Sequence, residues 1–158
     1  ASNSTSSVRY GLALSNATGS LQNALALKFW VEQWRLGAPN RDDRIAFQYS
    51  LNASGIADSA ATWVAVTGLG FTGPVREGAP GARDGNLPAN RAEVSGEITG
   101  LEWAAGQTLW LRWSDANIGG VDDGLAIDDL IIGSAEDRPP TLLSTVPSDA
   151  AIDVDPGQ

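Results

Sequence analysis

Hydrophobic positions recur at every second residue along this chain, the spacing that sends alternate side chains to the two faces of a strand. Across residues 21–35, Leu25, Leu27, Phe29 and Val31 share one face, while Ala26, Lys28, Trp30 and Glu32 take the other. Residues 45–51 repeat the pattern, with Ile45, Phe47, Tyr49 and Leu51 set against Ala46, Gln48 and Ser50. Runs at 62–66, 94–99, 108–114 and 125–132 predict four further strands. In the run 108–114, Leu109, Leu111 and Trp113 oppose Trp110 and Arg112, so Trp113 is predicted to lie in the core. Clusters of Gly, Pro, Asn and Asp separate the runs, notably at 37–40 and 78–90, and such residues favour turns. No stretch of helical length has a 3.6-residue period; residues 58–62 could form one short helical turn at most. Many short strands joined by Gly/Pro-rich turns predict an all-β fold, an antiparallel sandwich or barrel.

Two runs, 24–31 and 125–132, are apolar on both faces. Strands covered on both sides sit centrally, so these two are expected to be neighbours in the middle of a sheet. The longest stretch without a strand pattern, 68–92, is too rich in Pro and Gly for a helix and too long for a tight turn. Loops of that length in compact domains are commonly functional. Composition then changes at Ala135, Glu136, Asp137, Arg138, Pro139 and Pro140, which read as a stiff linker. Residues 141–156 hold one short strand pattern and are too few to fold alone. The expected organisation is one domain over 1–136, then a linker and the first strand of a second, cut-away domain over 137–158.

The length of 158 residues matches one domain at ~100–200 residues each, large enough to bury a core without staples. The chain has no Cys, His or Met. That removes disulfides, thiolate and imidazole metal ligands, and any Ser-His-Asp triad. The missing Met reads as the mark of an excised or processed piece. Nineteen acidic against ten basic residues give a net charge of −9, the wrong sign for gripping a phosphate backbone, so no nucleic-acid partner is expected. No apolar run approaches the ~20 residues of a membrane span, so no membrane insertion is expected. The small, polar N-terminus lacks the pattern of a signal peptide. Acidity, absent Cys and abundant small residues fit a secreted or surface bacterial protein. Asn-x-Ser/Thr triplets begin at Asn3, Asn16 and Asn52; they read as chance in an Asn/Ser/Thr-rich chain rather than as glycosylation sites.

The chemistry-bearing residues cluster late in the chain. Asp115, Asn117, Asp122 and Asp123 lie on one Gly-containing loop, followed by Asp128 and Asp129 in the next strand. Calcium takes six to eight hard oxygens of this kind, and Gly119 and Gly120 free the backbone to turn its carbonyls inward. A carboxylate in an otherwise apolar strand needs a compensating partner, so Asp128 or Asp129 is expected to meet a cation, an Arg or a set of backbone N–H groups. A structural calcium site of Asp115, Asn117, Asp122, Asp123 and Asp129 is one reading. Turn and loop capping by the same acids, with Arg112 or Arg35 as the buried partner, is the other. Glu32 and Arg35 around Trp34 read as a salt bridge beside a core Trp, or alternatively as a sugar-binding or catalytic pair. Asp84 and Asn86 form a turn signature and are also candidate ligand-binding residues. Six Trp residues invite a carbohydrate-platform reading, although Trp in sandwiches is mostly buried. Trp103 and Trp110 are the two expected on the surface as ligand contacts. No two acids are placed across a cleft as glycoside hydrolysis requires, and no catalytic activity is expected.

Gly11, Asn16 and Gly19, the Trp30-Val-Glu-Gln-Trp34-Arg35 run, Phe47, Tyr49 and Trp63 form a pattern completed by Trp110, Arg112, Trp113 and Asp115 and by Asp122–Asp123 and Asp128–Asp129. Over about residues 8–134 this resembles a jelly-roll module of large secreted bacterial multidomain proteins, found beside extracellular nuclease, phosphatase, lamin-tail and immunoglobulin-like domains. Residues 140–156 are similar to the opening of a bacterial immunoglobulin-like repeat. The chain departs from the pattern in having little before Tyr10 to supply a full first strand. The resemblance implies a two-sheet jelly roll with an accessory, non-catalytic role and a calcium ion. The expected function is binding or adhesion to a polysaccharide or other surface polymer by a monomeric module. The alternatives are a structural spacer with calcium as its only ligand, and an accessory domain of an extracellular nuclease or phosphatase.

Overall fold

The computed structural model describes residues 8–115 and 120–133. Asn117 and the predicted second-domain segment 137–158 lie outside the described residues. Among the described residues nine strands form: β1 (Arg9–Ser15), β2 (Gln22–Leu36), β3 (Arg44–Ser50), β4 (Val64–Ala65), β5 (Phe71–Thr72), β6 (Gly81–Ala82), β7 (Arg91–Trp103), β8 (Thr108–Asp115) and β9 (Gly124–Gly133). They make two antiparallel sheets packed as a β-sandwich. The first sheet runs β1-β8-β3, with β4 and β5 both on the far edge of β3. In the second, β2 is flanked by β7 and β9, and its last residues also pair with β6. The short segment at 58–62 forms no helix; the two helical turns among the described residues are 3-10 turns at Thr67–Leu69 and Pro88–Asn90.

The period-two pattern sets which faces meet. Leu25, Leu27, Phe29 and Val31 of β2 and Leu109, Leu111 and Trp113 of β8 are buried between the sheets, joined by Ile45, Phe47, Leu69, Phe71 and Ile98. Trp113 is the hub of this layer. Its ring meets Phe47 edge-on at 5.1 Å and Phe29 edge-on at 5.5 Å, and stacks on Tyr10 at 5.9 Å. Such pairs contribute about 0.5–1.5 kcal/mol each beyond area burial. The same placement raises the Tyr10 phenol to about 12, first by burial and then by the nearby Asp115 carboxylate.

Three expectations need correction. Few residues precede Tyr10, yet β1 is a seven-residue strand paired with β8 from Arg9↔Ser114 to Ser15↔Thr108, because Tyr10, Leu12 and Leu14 alternate inward onto the core. The doubly apolar runs are indeed neighbours, since β9 pairs with β2. However, among the described residues β9 has no second neighbour, and its outward Ile131 is 59% exposed. Trp103 is only 6% exposed. Strand β7 bulges near Gly100 (φ +65°), where three β7 residues oppose one β2 residue, and this turns Leu101 and Trp103 inward. The Trp103 indole then donates to the Gln107 carbonyl at 2.8 Å.

Leu111 is fully buried, so Leu111→Ala should cost ~2–5 kcal/mol by lost burial and a residual cavity. Thermal unfolding should show a midpoint lower by on the order of 10 °C. Ile131→Ala, on the outward face of β9, should change the same curve little. Equal losses in both variants would contradict the assignment of faces.

Candidate functional site

Two polar constellations lie outside the core. The first closes one end of the sandwich, where β2 turns from apolar to polar at Gln33. This side chain is fully buried, and its amide donates to the Val75 carbonyl at 3.0 Å and to Asp123 Oδ2 at 3.0 Å. Its Oε1 accepts from the Val75 N–H at 2.7 Å. Asp123 Oδ1 accepts from the Gly37 N–H at 2.7 Å, while the Asp123 N–H donates to Asp43 Oδ2 at 2.7 Å. Gly37 is required by this approach, since a Cβ there would lie 2.1 Å from the Val121 carbonyl oxygen.

Arg41 occupies the middle of the acids. Its guanidinium donates to Asp43 Oδ1 at 2.7 Å, to Asp122 Oδ1 at 3.2 Å and to the Val121 carbonyl at 2.5 Å. Burial, followed by the neighbouring Asp122 and Asp43 charges, pushes the Asp115 carboxyl above its usual range, with Arg41 acting in the opposite direction. Burial also raises Asp123, against the pull of the Gly37 N–H.

Of the five residues expected to hold calcium, Asp115, Asp122 and Asp123 come together here, and Asp129 does not. Both Asp123 oxygens carry N–H donors and a guanidinium already bridges Asp43 and Asp122. Among the described residues, which exclude Asn117, no group of three or more acidic side chains is arranged to hold a metal. The arginine is also not one of the two expected. Arg112 points to the outward face of β8, opposite in parity to Asp115. There it donates to Gln48 at 2.9 Å and to the Ile56 carbonyl at 3.0 Å, and lies 3.6 Å from the Trp63 ring centre. Trp110 shares that outward face and is half-buried beside Ala13 and Ser50.

The second constellation lies on the outward face of β2. Two bulges shape it. Asp129 and Leu130 together oppose the single residue Phe29, and Trp34 is an extra residue on β2 between the pairs Gln33↔Leu125 and Arg35↔Gly124. Bulges re-aim side chains and recur beside functional sites. The first places Asp129 in left-handed backbone (φ +51°) with its side chain in solvent. Asp128 is exposed as well and accepts from the Asp129 N–H at 2.8 Å. Neither acid of β9 is buried: Asp128, opposite Trp30, faces outward by regular alternation and the bulge turns Asp129 outward as well, where each meets a donor, Asp128 the Asp129 N–H and Asp129 the Arg91 guanidinium.

Asp129 lies 3.4 Å from the Arg91 guanidinium, which stacks 4.3 Å over the Trp30 ring and faces the buried Glu32 at 3.9 Å. Glu32 thus pairs with Arg91 rather than Arg35. Trp30, Arg91 and Asp129, with Asn86 and Pro88, line a pocket of about 390 Å³. Asn86 belongs to the turn read from the sequence: its N–H and its amide donate to Asp84 Oδ1 at 3.0 and 3.3 Å, and Asn90 anchors the turn through the Asp84 carbonyl at 2.8 Å. Asn86 thus faces the pocket, and Asp84 holds it there. Trp34, expected in the core, is 42% exposed. Trp30 and Arg91 were not singled out as ligand contacts in the sequence. The available signal was parity, because Trp30, Glu32 and Trp34 alternate against the core residues of the same strand.

Asn16 is closed as a modification site: it is 2% exposed, and its amide donates to the Ser20 and Trp103 carbonyls at 2.8 Å each. No family model matches the chain, and no curated protein or solved structure matches it either.

The raised Asp115 carboxyl sets a sign. A carboxylate elevated in the native state contributes its stability below its ordinary pKa of ~4 and loses it as pH rises through the elevated native value. Asp115→Asn should therefore raise the unfolding midpoint at pH 7, on the order of 1–2 °C for a partly screened group, and the gain should fade towards pH 4. Melting with excess calcium and with chelator is the companion measurement. A calcium ion on Asp115 would reverse the sign, making Asp115→Asn destabilising at pH 7 in calcium.

Proposed function

We propose that this domain is a non-catalytic binding module that takes a neutral saccharide at the Trp30 pocket. One observation carries the reading: the outward sheet face and the turn beside it bring an indole, an amide, a guanidinium and a carboxylate together around a single concave space. Sugars present apolar C–H faces and hydroxyls that both donate and accept hydrogen bonds. The pocket offers the matching set, with Arg91 and Asn86 as donors, Asp129 and the Asn86 carbonyl as acceptors, and Trp30 and Pro88 as apolar walls. A concave, mostly apolar site with a few convergent polar groups is the usual form of a small-ligand pocket. Arg91 is balanced by Glu32 and Asp129, and the chain carries a net charge of −9, so long-range attraction disfavours polyanionic glycans.

The remaining features of this reading are proposals of the same standing. Consecutive strands β1, β2 and β3 alternate between the sheets, which supports jelly-roll connectivity. The host is a secreted or surface multidomain bacterial protein, in which the domain holds a polymer close without cleaving it.

Calorimetric titration with neutral oligosaccharides derived from cellulose, chitin and xylan tests the proposal. Trp30→Ala should weaken binding at least about tenfold, ~1.4 kcal/mol. Asp129→Gly removes the carboxylate while suiting the backbone at φ +51°; it should weaken binding similarly with no loss of melting temperature. The oligosaccharide should be recovered intact. Full affinity in both variants, or cleavage of the ligand, would overturn the reading.

A further inference from the structure

We infer that the outward face of β2 binds an extended saccharide chain, with Trp34 as a second aromatic subsite beyond the Trp30 pocket; this rests on the saccharide reading above. Trp34 is 42% exposed yet held in place. Its indole N–H donates to Glu32 Oε2 at 3.2 Å, and Gly85 packs so closely that a Cβ there would lie 2.6 Å from the Trp34 ring. The Arg83 N–H fixes the backbone beneath it by donating to the Trp34 carbonyl at 2.8 Å. A large apolar ring that is fixed in orientation but left open to solvent is a preformed contact, because it loses little conformational freedom on binding.

The two indoles share the outward side of one strand, four residues apart, or ~13 Å at about 3.3 Å per residue. That span exceeds a single sugar ring and suits successive units of a linear chain. Ala126 lies opposite Glu32 and Gly124 opposite Arg35 on β9, so the β9 side offers small residues where bulky ones would block a chain. Glu32 joins the two ends chemically: one of its oxygens accepts from the Trp34 indole and the other faces Arg91 of the pocket. Both bulges of the β2–β9 ladder serve this face, one presenting Asp129 to the pocket and the other presenting Trp34.

The test is a chain-length series. Cellulose-, chitin- and xylan-derived oligomers of increasing length, from the single sugar upward, are titrated into the wild type, Trp34→Ala and Trp34→Tyr, with melting curves to confirm folding. In the wild type, affinity should rise at least about tenfold once the chain outgrows the pocket. Trp34→Ala should bring long-chain affinity down to the short-chain value, and Trp34→Tyr, which keeps an aromatic face, should retain most of the gain. Equal affinity for single sugars and long chains, or a gain that survives Trp34→Ala, would overturn the extended site and leave the pocket standing. If no oligomer binds the wild type at any length, the saccharide reading falls and the extended site falls with it.

Discussion

The hydrogen bonds that converge on Gln33 and Asp123 govern the geometry of everything outside the core. Strand β2 is long enough to traverse the sandwich, and its inward positions are apolar until Gln33. At that point the core ends and the strand needs polar partners, since an unsatisfied buried amide costs about 1–3 kcal/mol. Asp123 and the Val75 backbone supply them. Because Asp123 immediately precedes β9, this contact pins where β9 begins relative to β2. The Gly37 N–H, bound to the other Asp123 oxygen, pins where the chain leaves β2. With one end of the β2–β9 ladder fixed, any excess length on either strand has to be absorbed as a bulge. The two bulges absorb it, and they carry the two outward groups, Asp129 and Trp34, on which the proposed binding face depends.

Arginine solves two different problems in the same fold. Arg41 is largely buried among carboxylates, where like charges would otherwise repel and burial raises the carboxyl of Asp115. Removing such a partner would strand buried charge, so its role is cohesive. Arg91 also sits between two acids, but with one of them, Asp129, largely in solvent and with its planar group against Trp30. Its planar face lies against the indole of the proposed pocket. Burial of the partner acids, rather than residue type, separates the cohesive arginine from the one at the proposed pocket.

Much of the fold was legible because parity is a local property. The inward residues of β2, β3 and β8 and the central Trp113 follow from alternation alone, and the turn at Asp84 and Asn86 follows from its Asp-Gly-Asn residues. The candidate site was legible only in fragments. Asp122 and Asp123 were visible as an acidic loop, but Arg41 approaches from about eighty positions away in the chain, and nothing local announces it. Bulges were the other blind spot, because extra residues on one strand re-aim the side chains that follow. The irregularity at Gly100 carries Trp103 into the core, against its expected exposure. The bulge at Asp129 turns outward an acid that an uninterrupted apolar strand would have buried.

Such departures from regularity also indicate where conformational strain is tolerated. Asp129 is held at φ +51°, a conformation that a residue other than glycine adopts at some cost and that concentrates at ligand clamps and active sites. It persists because the ladder on both sides, Lys28↔Ile131 and Trp30↔Asp128, leaves the chain no regular alternative, and because the Asp128 carboxylate accepts the Asp129 N–H. Trp34 is restrained in the same manner, by Glu32 on one side and Gly85 on another, although solvent would readily accept a freer ring. Rigid strands hold side chains more accurately than loops do, and here they orient an open aromatic and an open carboxylate on one face. A domain selected for stability alone would gain by burying that ring and relaxing that residue. Keeping both open and fixed is what the proposed binding face requires of this surface.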